Sequence, residues 1–209
     1  MDFDTYKQGV LDKLYTPDRS RKGSVDTFIV SLIDLINAHP DYVTTSSCSG
    51  RMMLHTQASK KYATKWLFVS HKKTELASIM ASLKNLPDED VWFKTEGFIF
   101  HVACRDFQAA KSFMILAQQN GYKNSSILAA SKRFIVQIID SRRFDCLIGV
   151  AGELVVDHNY LALIGERANS LLKDIHAGIT RLQNAWSRSL GNDSRDSSVS
   201  PDKTSDVQQ

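Results

Sequence analysis

Five stretches of the chain repeat apolar residues every three or four positions, a spacing that predicts amphipathic helices. In the second stretch the inward positions are Phe28, Leu32, Ile33 and Ile36. In the last stretch an apolar stripe runs from Leu161 to Trp186. The last pattern predicts a long helix with one buried side. The predicted helices cover residues 3–14, 25–38, 75–86, 106–119 and 157–190.

Runs rich in β-branched and aromatic residues separate these helices and predict strands. They cover residues 42–45, 51–56, 66–70, 91–94, 98–103, 126–128, 134–139 and 146–150. A helix followed by Tyr42 and serines is echoed by a helix followed by Tyr122 and serines, which suggests an internal duplication. The pattern therefore predicts a compact single α/β (α+β) domain over residues 1–190, with helices flanking one mixed β-sheet.

Composition and charge refine this interpretation. Of the 209 residues, 43% are hydrophobic and 23% are charged, as in globular domains. No apolar run approaches the roughly 20 residues that cross a bilayer, and the first residues do not resemble a secretory signal. The polar, serine-rich residues 191–209 are predicted to be a disordered tail; they hold four acids and two bases, so residues 1–190 carry +5 against +3 for the chain. This mildly basic body permits a nucleic-acid partner.

Three scattered cysteines are too few for a disulfide framework, so we expect a reducing, cytoplasmic location. The sequence shows no sign of an obligate protein partner. The histidines and cysteines lack the spacings typical of metal ligands, so no metal site is predicted. Neither a P-loop nor a glycine-rich dinucleotide fingerprint is present, which argues against a standard Rossmann cofactor site.

The strongest local motif is a run of small residues that ends in an arginine. Such a loop can approach an anion closely, and the guanidinium offers a planar fork for carboxylate or phosphate. The alternatives are an ordinary polar turn, or a hydrolase that uses the cysteine as nucleophile. The candidate binding residues are Ser46, Ser47, Cys48, Ser49, Gly50 and Arg51.

A second motif combines cations with a helix start, where backbone N–H groups and the helix dipole favour phosphate. Its alternative is an exposed loop before a capped helix. The candidate phosphate-binding residues are Arg19, Arg21, Lys22 and Ser24.

A third motif is a hairpin in which Glu96 precedes a strand carrying His101 and Arg105 on one face. These three polar residues in an apolar hairpin predict a site. The alternative is that His101 is hydrogen-bonded in the core and that Arg105 pairs with an acid.

Five segments occur in an order that resembles the wybutosine-synthesising protein three family over about residues 3–187. Where that family usually has proline, this chain has Gly97. The segments are residues 21–26, 44–51, 66–71, 93–106 and 121–126.

The resemblance implies an S-adenosylmethionine-dependent methyltransferase with a compact α/β fold unlike Rossmann methyltransferases. Its substrate would be 4-demethylwyosine bearing an aminocarboxypropyl side chain, at position 37 beside the anticodon of phenylalanine tRNA, methylated on N-4. A non-catalytic RNA-binding module is the alternative function.

That chemistry suggests roles for individual residues. Glu96 or His101 would accept the proton from N-4, with burial raising the pKa of Glu96 toward neutrality. The 46–51 loop, His71 and Arg105 would bind cofactor or substrate. Trp66 or Trp92 would stack on the extruded base or simply pack in the core.

Overall fold

The computed structural model describes residues 1–14, 25–57 and 64–196. Within these ranges lie five α-helices, of which the second follows a short 3₁₀ turn at Thr27–Ile29. None of the described helices is long and apolar enough to cross a membrane. The helices are α1 (Phe3–Leu14), α2 (Val30–Asn37), α3 (Leu76–Ser82), α4 (Phe107–Gln119) and α5 (His158–Asp196).

The described strands form two sheets in which every paired neighbour is antiparallel. The four-stranded sheet has the order β1-β5-β7-β6, and the five-stranded sheet has the order β3-β2-β4-β8-β9. The strands are β1 (Tyr42–Cys48), β2 (Arg51–Thr56), β3 (Trp66–Ser70), β4 (Val91–Glu96), β5 (Ile99–Cys104), β6 (Ser126–Ala129), β7 (Phe134–Ile139), β8 (Phe144–Val150) and β9 (Glu153–Leu154).

The α+β class and the absence of a Rossmann fold are confirmed, but the single mixed sheet is replaced by two antiparallel ones. The reason lies in three sharp corners, at residues 49–50, 97–98 and 140–143, where a strand of one sheet continues into the other. Connections this short cannot form the crossover that parallel pairing needs. The suggested duplication stays a prediction.

The main core lies where helices α2 to α5 pack against the two sheets. Its largest fully buried side chains include Phe93, Phe98, Phe100 and Phe113. Trp186 of α5 packs edge-on against Phe113, with ring centroids 5.1 Å apart, and anchors the helix to this core.

Helix α1 packs on the opposite face of the four-stranded sheet. There Phe3 joins Val43 and Ala103 in a small separate cluster. Successive strand residues point to opposite faces, so Val43 faces α1 while its neighbour Tyr42 faces the main core.

Several element boundaries differ from their predictions. Strand β1 continues to Cys48, so Ser46, Ser47 and Cys48 lie in a strand, and the bend is confined to Ser49 and Gly50. Helix α5 continues to Asp196, beyond its predicted end near residue 190. Asp106 caps helix α4, because its side chain accepts a hydrogen bond from the Ala109 N–H. Because α5 reaches Asp196, residues 191–196 are helical rather than part of a disordered tail. Residues 197–209 lie outside the described ranges, and for them the disordered tail stays a prediction.

Candidate functional site

The corner between β1 and β2 is the centre of the site. Cys48 pairs with Ile99 before the bend and Arg51 pairs with Glu96 after it, so the corner lies beside the 97–98 corner. Gly50 has φ +88°, and a Cβ there would lie 3.0 Å from Cγ2 of Ile175. Glycine therefore allows both the left-handed bend and the close packing of α5 on it.

A cleft of about 620 Å³ opens at this corner. It lies at the sheet edges, because β1 and β3 are each the last strand of their sheet. Four separate segments supply its walls, which brings together residues up to 151 positions apart in the chain. The lining comprises residues 25–28, Ser49, residues 69–73 and His176.

The wall after β3 is held in place by helix α5. The side-chain amide of Asn169 donates to the Thr74 carbonyl at 2.9 Å and accepts from the Thr74 N–H at 2.9 Å. This double hydrogen bond fixes the turn that carries His71, Lys72 and Lys73 into the cleft.

Asp26 connects the walls of the cleft. Its side chain is 8% exposed, and its Oδ2 accepts from Ser49 N at 2.9 Å and from Ser49 Oγ at 3.2 Å. The same oxygen lies 3.3 Å from His71 Nδ1. A buried carboxylate thus links the segment before α2, the corner and the turn after β3.

The tautomer of His71 follows from its second contact. His71 Nδ1 lies 2.8 Å from the Gly50 carbonyl oxygen, which can only accept a hydrogen bond. Nδ1 therefore carries the hydrogen, and in the neutral imidazole the lone pair resides on Nε2.

Cys48 lies beside this pair. Its Sγ, an oxygen of Asp26 and a ring nitrogen of His71 all fall within 4.8 Å of one another, a donor set of the kind that binds metal ions. Sequence spacing does not reveal this donor group, because its three residues come from three segments that are distant along the chain. The contacts of His71 Nδ1 with Gly50 and Asp26 hold two of these three groups together.

His176 and Phe28 form the remaining wall. Their rings stack with centroids 4.0 Å apart and planes 17° apart. Burial lowers the pKa of His176, although Asp26 and the Ser49 backbone oppose that shift. Phe28 was expected to point inward but is 43% exposed, because the 3₁₀ turn displaces it from the buried face of α2.

Arg51 and Glu96 form an ion pair outside the residues that line the cleft. Arg51 Nε donates to Glu96 Oε2 at 2.6 Å, and Lys94 Nζ lies 3.5 Å from Glu96 Oε1. The Arg51 guanidinium stacks on the half-exposed Trp66, 4.7 Å from its ring centre. Trp92 is partly buried on the same sheet.

The expected rise in the pKa of Glu96 is wrong. Burial does favour the neutral carboxyl, but the charge and hydrogen bond of Arg51, with a smaller contribution from Lys94, outweigh it and lower the pKa. Glu96 is therefore an anion held by two cations, which makes it a weak proton acceptor.

His101 and Arg105 lie away from the cleft. His101 Nε2 donates to Gln137 Oε1 at 3.0 Å across the four-stranded sheet. Arg105 donates to Asp41 at 2.6 Å and to Asp4 at 2.6 Å, which ties α1 to the sheet. These contacts match the alternative to a functional site on this hairpin: His101 has a hydrogen-bond partner, and Arg105 pairs with acids.

The other candidate residues divide between the corner and the rest of the molecule. Ser49 and His71 line the cleft, while Ser46 lies in β1 opposite His101 and is exposed. The candidate phosphate ligands Arg19, Arg21, Lys22 and Ser24 lie outside the described residues.

Several residues that line the cleft were not among the candidate site residues of the sequence analysis, and they include Asp26, Phe28, Lys72, Lys73 and His176. Asp26 belongs to the first of the five segments, which is a usable signal, whereas the sequence places Phe28 and His176 only within predicted helices. The pair Lys72 and Lys73, directly after His71, was the other available signal.

The family model described as "Methyltransferase TYW3" matches residues 5–188. A tRNA(Phe) 7-((3-amino-3-carboxypropyl)-4-demethylwyosine(37)-N(4))-methyltransferase of Methanocaldococcus jannaschii is 37% identical over 157 residues, 73% of this chain and 81% of that protein. The tRNA wybutosine-synthesizing protein 3 of Schizosaccharomyces pombe is 36% identical over 162 residues, 70% of this chain and 68% of that protein.

The solved structure of the PH1069 protein from Pyrococcus horikoshii superposes with a TM-score of 0.81 at 32% identity. The match covers 88% of this chain and 96% of that one. Sequence and fold therefore agree with the resemblance inferred from the five segments, and the chain belongs to the TYW3 methyltransferase family.

Proposed function

We propose that this protein methylates N-4 of 7-(3-amino-3-carboxypropyl)-4-demethylwyosine at position 37 of phenylalanine tRNA, with S-adenosylmethionine as donor. The reaction is the one named for the Methanocaldococcus jannaschii relative. The observation that carries the proposal is the cleft, where Asp26, Ser49 and His71 meet from three of the five segments that resemble the family.

The lining fits such a donor chemically. Lys72 and Lys73 can pair with the carboxylate of its methionine part, and Asp26 offers a buried carboxylate for hydrogen bonds or for its ammonium group. When bound, S-adenosylmethionine supplies a methyl group on a positively charged sulfur, whose bond to carbon breaks as N-4 takes the methyl group.

The corner itself binds an anion less readily than its sequence suggests. The Ser49 N–H already donates to Asp26, so this donor is engaged within the protein. The carboxylate of the aminocarboxypropyl side chain therefore competes with the donor for the two lysines, or pairs with the predicted phosphate-binding cations Arg19, Arg21 and Lys22.

N-4 must lose its proton when it gains the methyl group. We assign proton acceptance to His71, whose Nδ1–H donates to Gly50 while Nδ1 lies 3.3 Å from Asp26, so that the ring is oriented and the lone pair of the neutral imidazole is on Nε2. Nε2 is buried in the cleft wall, so this assignment requires the cleft to open around it when the tRNA base binds. Asp26 also stabilises the imidazolium that forms. Holding both reactants in one cleft contributes through positioning.

Donor binding separates this function from a non-catalytic RNA-binding module. Titration calorimetry with S-adenosylhomocysteine, the demethylated donor, should show binding to the wild type and weaker binding to Asp26→Asn. Asp12→Asn, a surface carboxylate on α1, is the matched control and should bind normally. A wild type that binds tRNA but not S-adenosylhomocysteine would contradict the proposal.

A further inference from the structure

Phe28 is the one large apolar side chain of the cleft lining with almost half of its surface exposed. Exposed single phenylalanines are common on proteins and need no function by themselves. What distinguishes this one is its support: the ring lies flat on His176, at 4.0 Å and 17°, so its orientation is set by α5.

His176 suits this supporting role. Its burial lowers the pKa, so the imidazole is neutral at physiological pH and presents a flat aromatic face to Phe28. Its Nε2 is buried and has no hydrogen-bond partner among the described residues, so the contact with Phe28 is not dictated by a hydrogen bond at that atom.

The two rings come from opposite ends of the chain. Phe28 lies in the 3₁₀ turn just after Asp26, and His176 lies one residue after Ile175, which packs on Gly50. The inner side of Phe28 is thus backed by α5, and its outer face is the exposed one.

We propose that the outer face of Phe28, backed by His176, is a stacking platform for a flat heteroaromatic ring in the cleft. This inference rests on the proposed function, which brings two such rings: the purine of the methyl donor and the tricyclic base of the tRNA. Any nucleobase can stack on an aromatic side chain, because every base has a π-face. A ligand ring on Phe28 is the third ring of a stack whose first two rings, Phe28 and His176, the protein already holds in place.

The test uses Phe28→Ala, Phe28→Tyr and the control Phe107→Ala in the full chain. Phe107 is also exposed, at 55%, but meets Phe134 edge-on and does not line the cleft. Affinity is measured for S-adenosylhomocysteine and, separately, for phenylalanine tRNA bearing the demethylated nucleoside.

Phe28→Ala should weaken one of the two ligands about tenfold, as expected for the loss of one ring stack, while Phe28→Tyr and Phe107→Ala bind like wild type. Selective loss of S-adenosylhomocysteine identifies the stacked ring as the purine, and selective loss of the tRNA identifies it as the tricyclic base.

Unchanged affinity of folded Phe28→Ala for both ligands would overturn the platform and leave the proposed function intact. An equal loss in Phe107→Ala or in Phe28→Tyr would overturn it too, since the effect would not depend on a ring at this position. A wild type that binds neither ligand would overturn both proposals.

Discussion

Glu96 shows how one ion pair changes the chemistry that a side chain can perform. Its ion pair with Arg51 lowers its pKa below the ordinary 4.5. A carboxyl with a lowered folded pKa contributes stability that is fully present above the unfolded pKa and is lost as pH falls through the folded one.

Stability at acid pH should therefore respond to Glu96→Gln. Between pH 7 and about 4.5 the wild type should keep its advantage over the variant, and below 4.5 the difference should shrink as Glu96 is protonated. Urea unfolding at a series of pH values measures both curves. Curves that stay parallel down to pH 3 would show that Arg51 does not stabilise the ionised form.

A second prediction for a single residue concerns His71. His71→Asn can still donate to Gly50 but cannot accept the proton from N-4, so single-turnover methylation should slow by roughly 10²–10⁴-fold. Glu96→Gln should slow it less, because Glu96 lies outside the cleft lining.

His55→Asn is the matched control for His71. His55 is another half-buried histidine whose Nδ1 lies 3.0 Å from a backbone carbonyl, and it does not line the cleft. It should leave the rate unchanged. Near-normal turnover of His71→Asn, with its fold intact, would remove His71 as the proton acceptor.

The individual site residues were predictable only where a local motif contained them. Ser49 and His71 stand in short, distinctive segments, so the sequence identified them. Asp26 was missed because its role depends on Ser49 and His71, 23 and 45 positions further along the chain. Phe28 was missed because helical periodicity places it on the buried face of its helix, whereas it is 43% exposed. His176 was missed because periodicity does not show which residues of distant segments meet.

The helices and strands were likewise predictable only where the signal is local. Local propensity identified eight of the strands and all five helices, but strand pairing depends on distant partners, and the predicted mixed sheet was wrong. The corners decide the pairing, and Gly97 shows why. Its φ is not left-handed; instead, a Cβ at this position would lie 2.6 Å from the Asp140 carbonyl oxygen of the neighbouring corner.

Gly97→Ala should therefore destabilise the fold, by about 1–3 kcal/mol for overpacking against backbone. Gly9→Ala is the control, because a Cβ there has no neighbour within 4 Å in the interior of α1 and should be neutral or slightly stabilising. Chemical denaturation of the three proteins checks the difference. Equal midpoints would mean that the two corners can separate without cost.

At the scale of the whole molecule, the proposed binding of tRNA depends on charge. Residues 1–190 carry a net +5, and their cations include Lys72 and Lys73 of the cleft and the predicted phosphate-binding residues Arg19, Arg21 and Lys22. Affinity for tRNA should fall as salt rises, because counterions are released on binding.

Each lysine or arginine that contacts phosphate should lower the slope of log affinity against log salt by about 1 when it is neutralised. Lys72→Ala tests the cleft, Arg21→Ala tests the predicted phosphate-binding residues, and Lys13→Ala on α1 is the control. Filter binding at several salt concentrations gives the slopes. An affinity indifferent to salt would point to a free nucleoside as substrate.

The central claim is tested most directly by mass spectrometry of the modified nucleoside. Phenylalanine tRNA bearing the demethylated precursor is incubated with the protein and S-adenosylmethionine, then digested to nucleosides and fragmented. We predict a gain of one methyl group, located on N-4, that is lost with Asp26→Asn and kept with Asp12→Asn. An unchanged precursor mass with folded, donor-bound protein, or a methyl group at another position, would contradict the account.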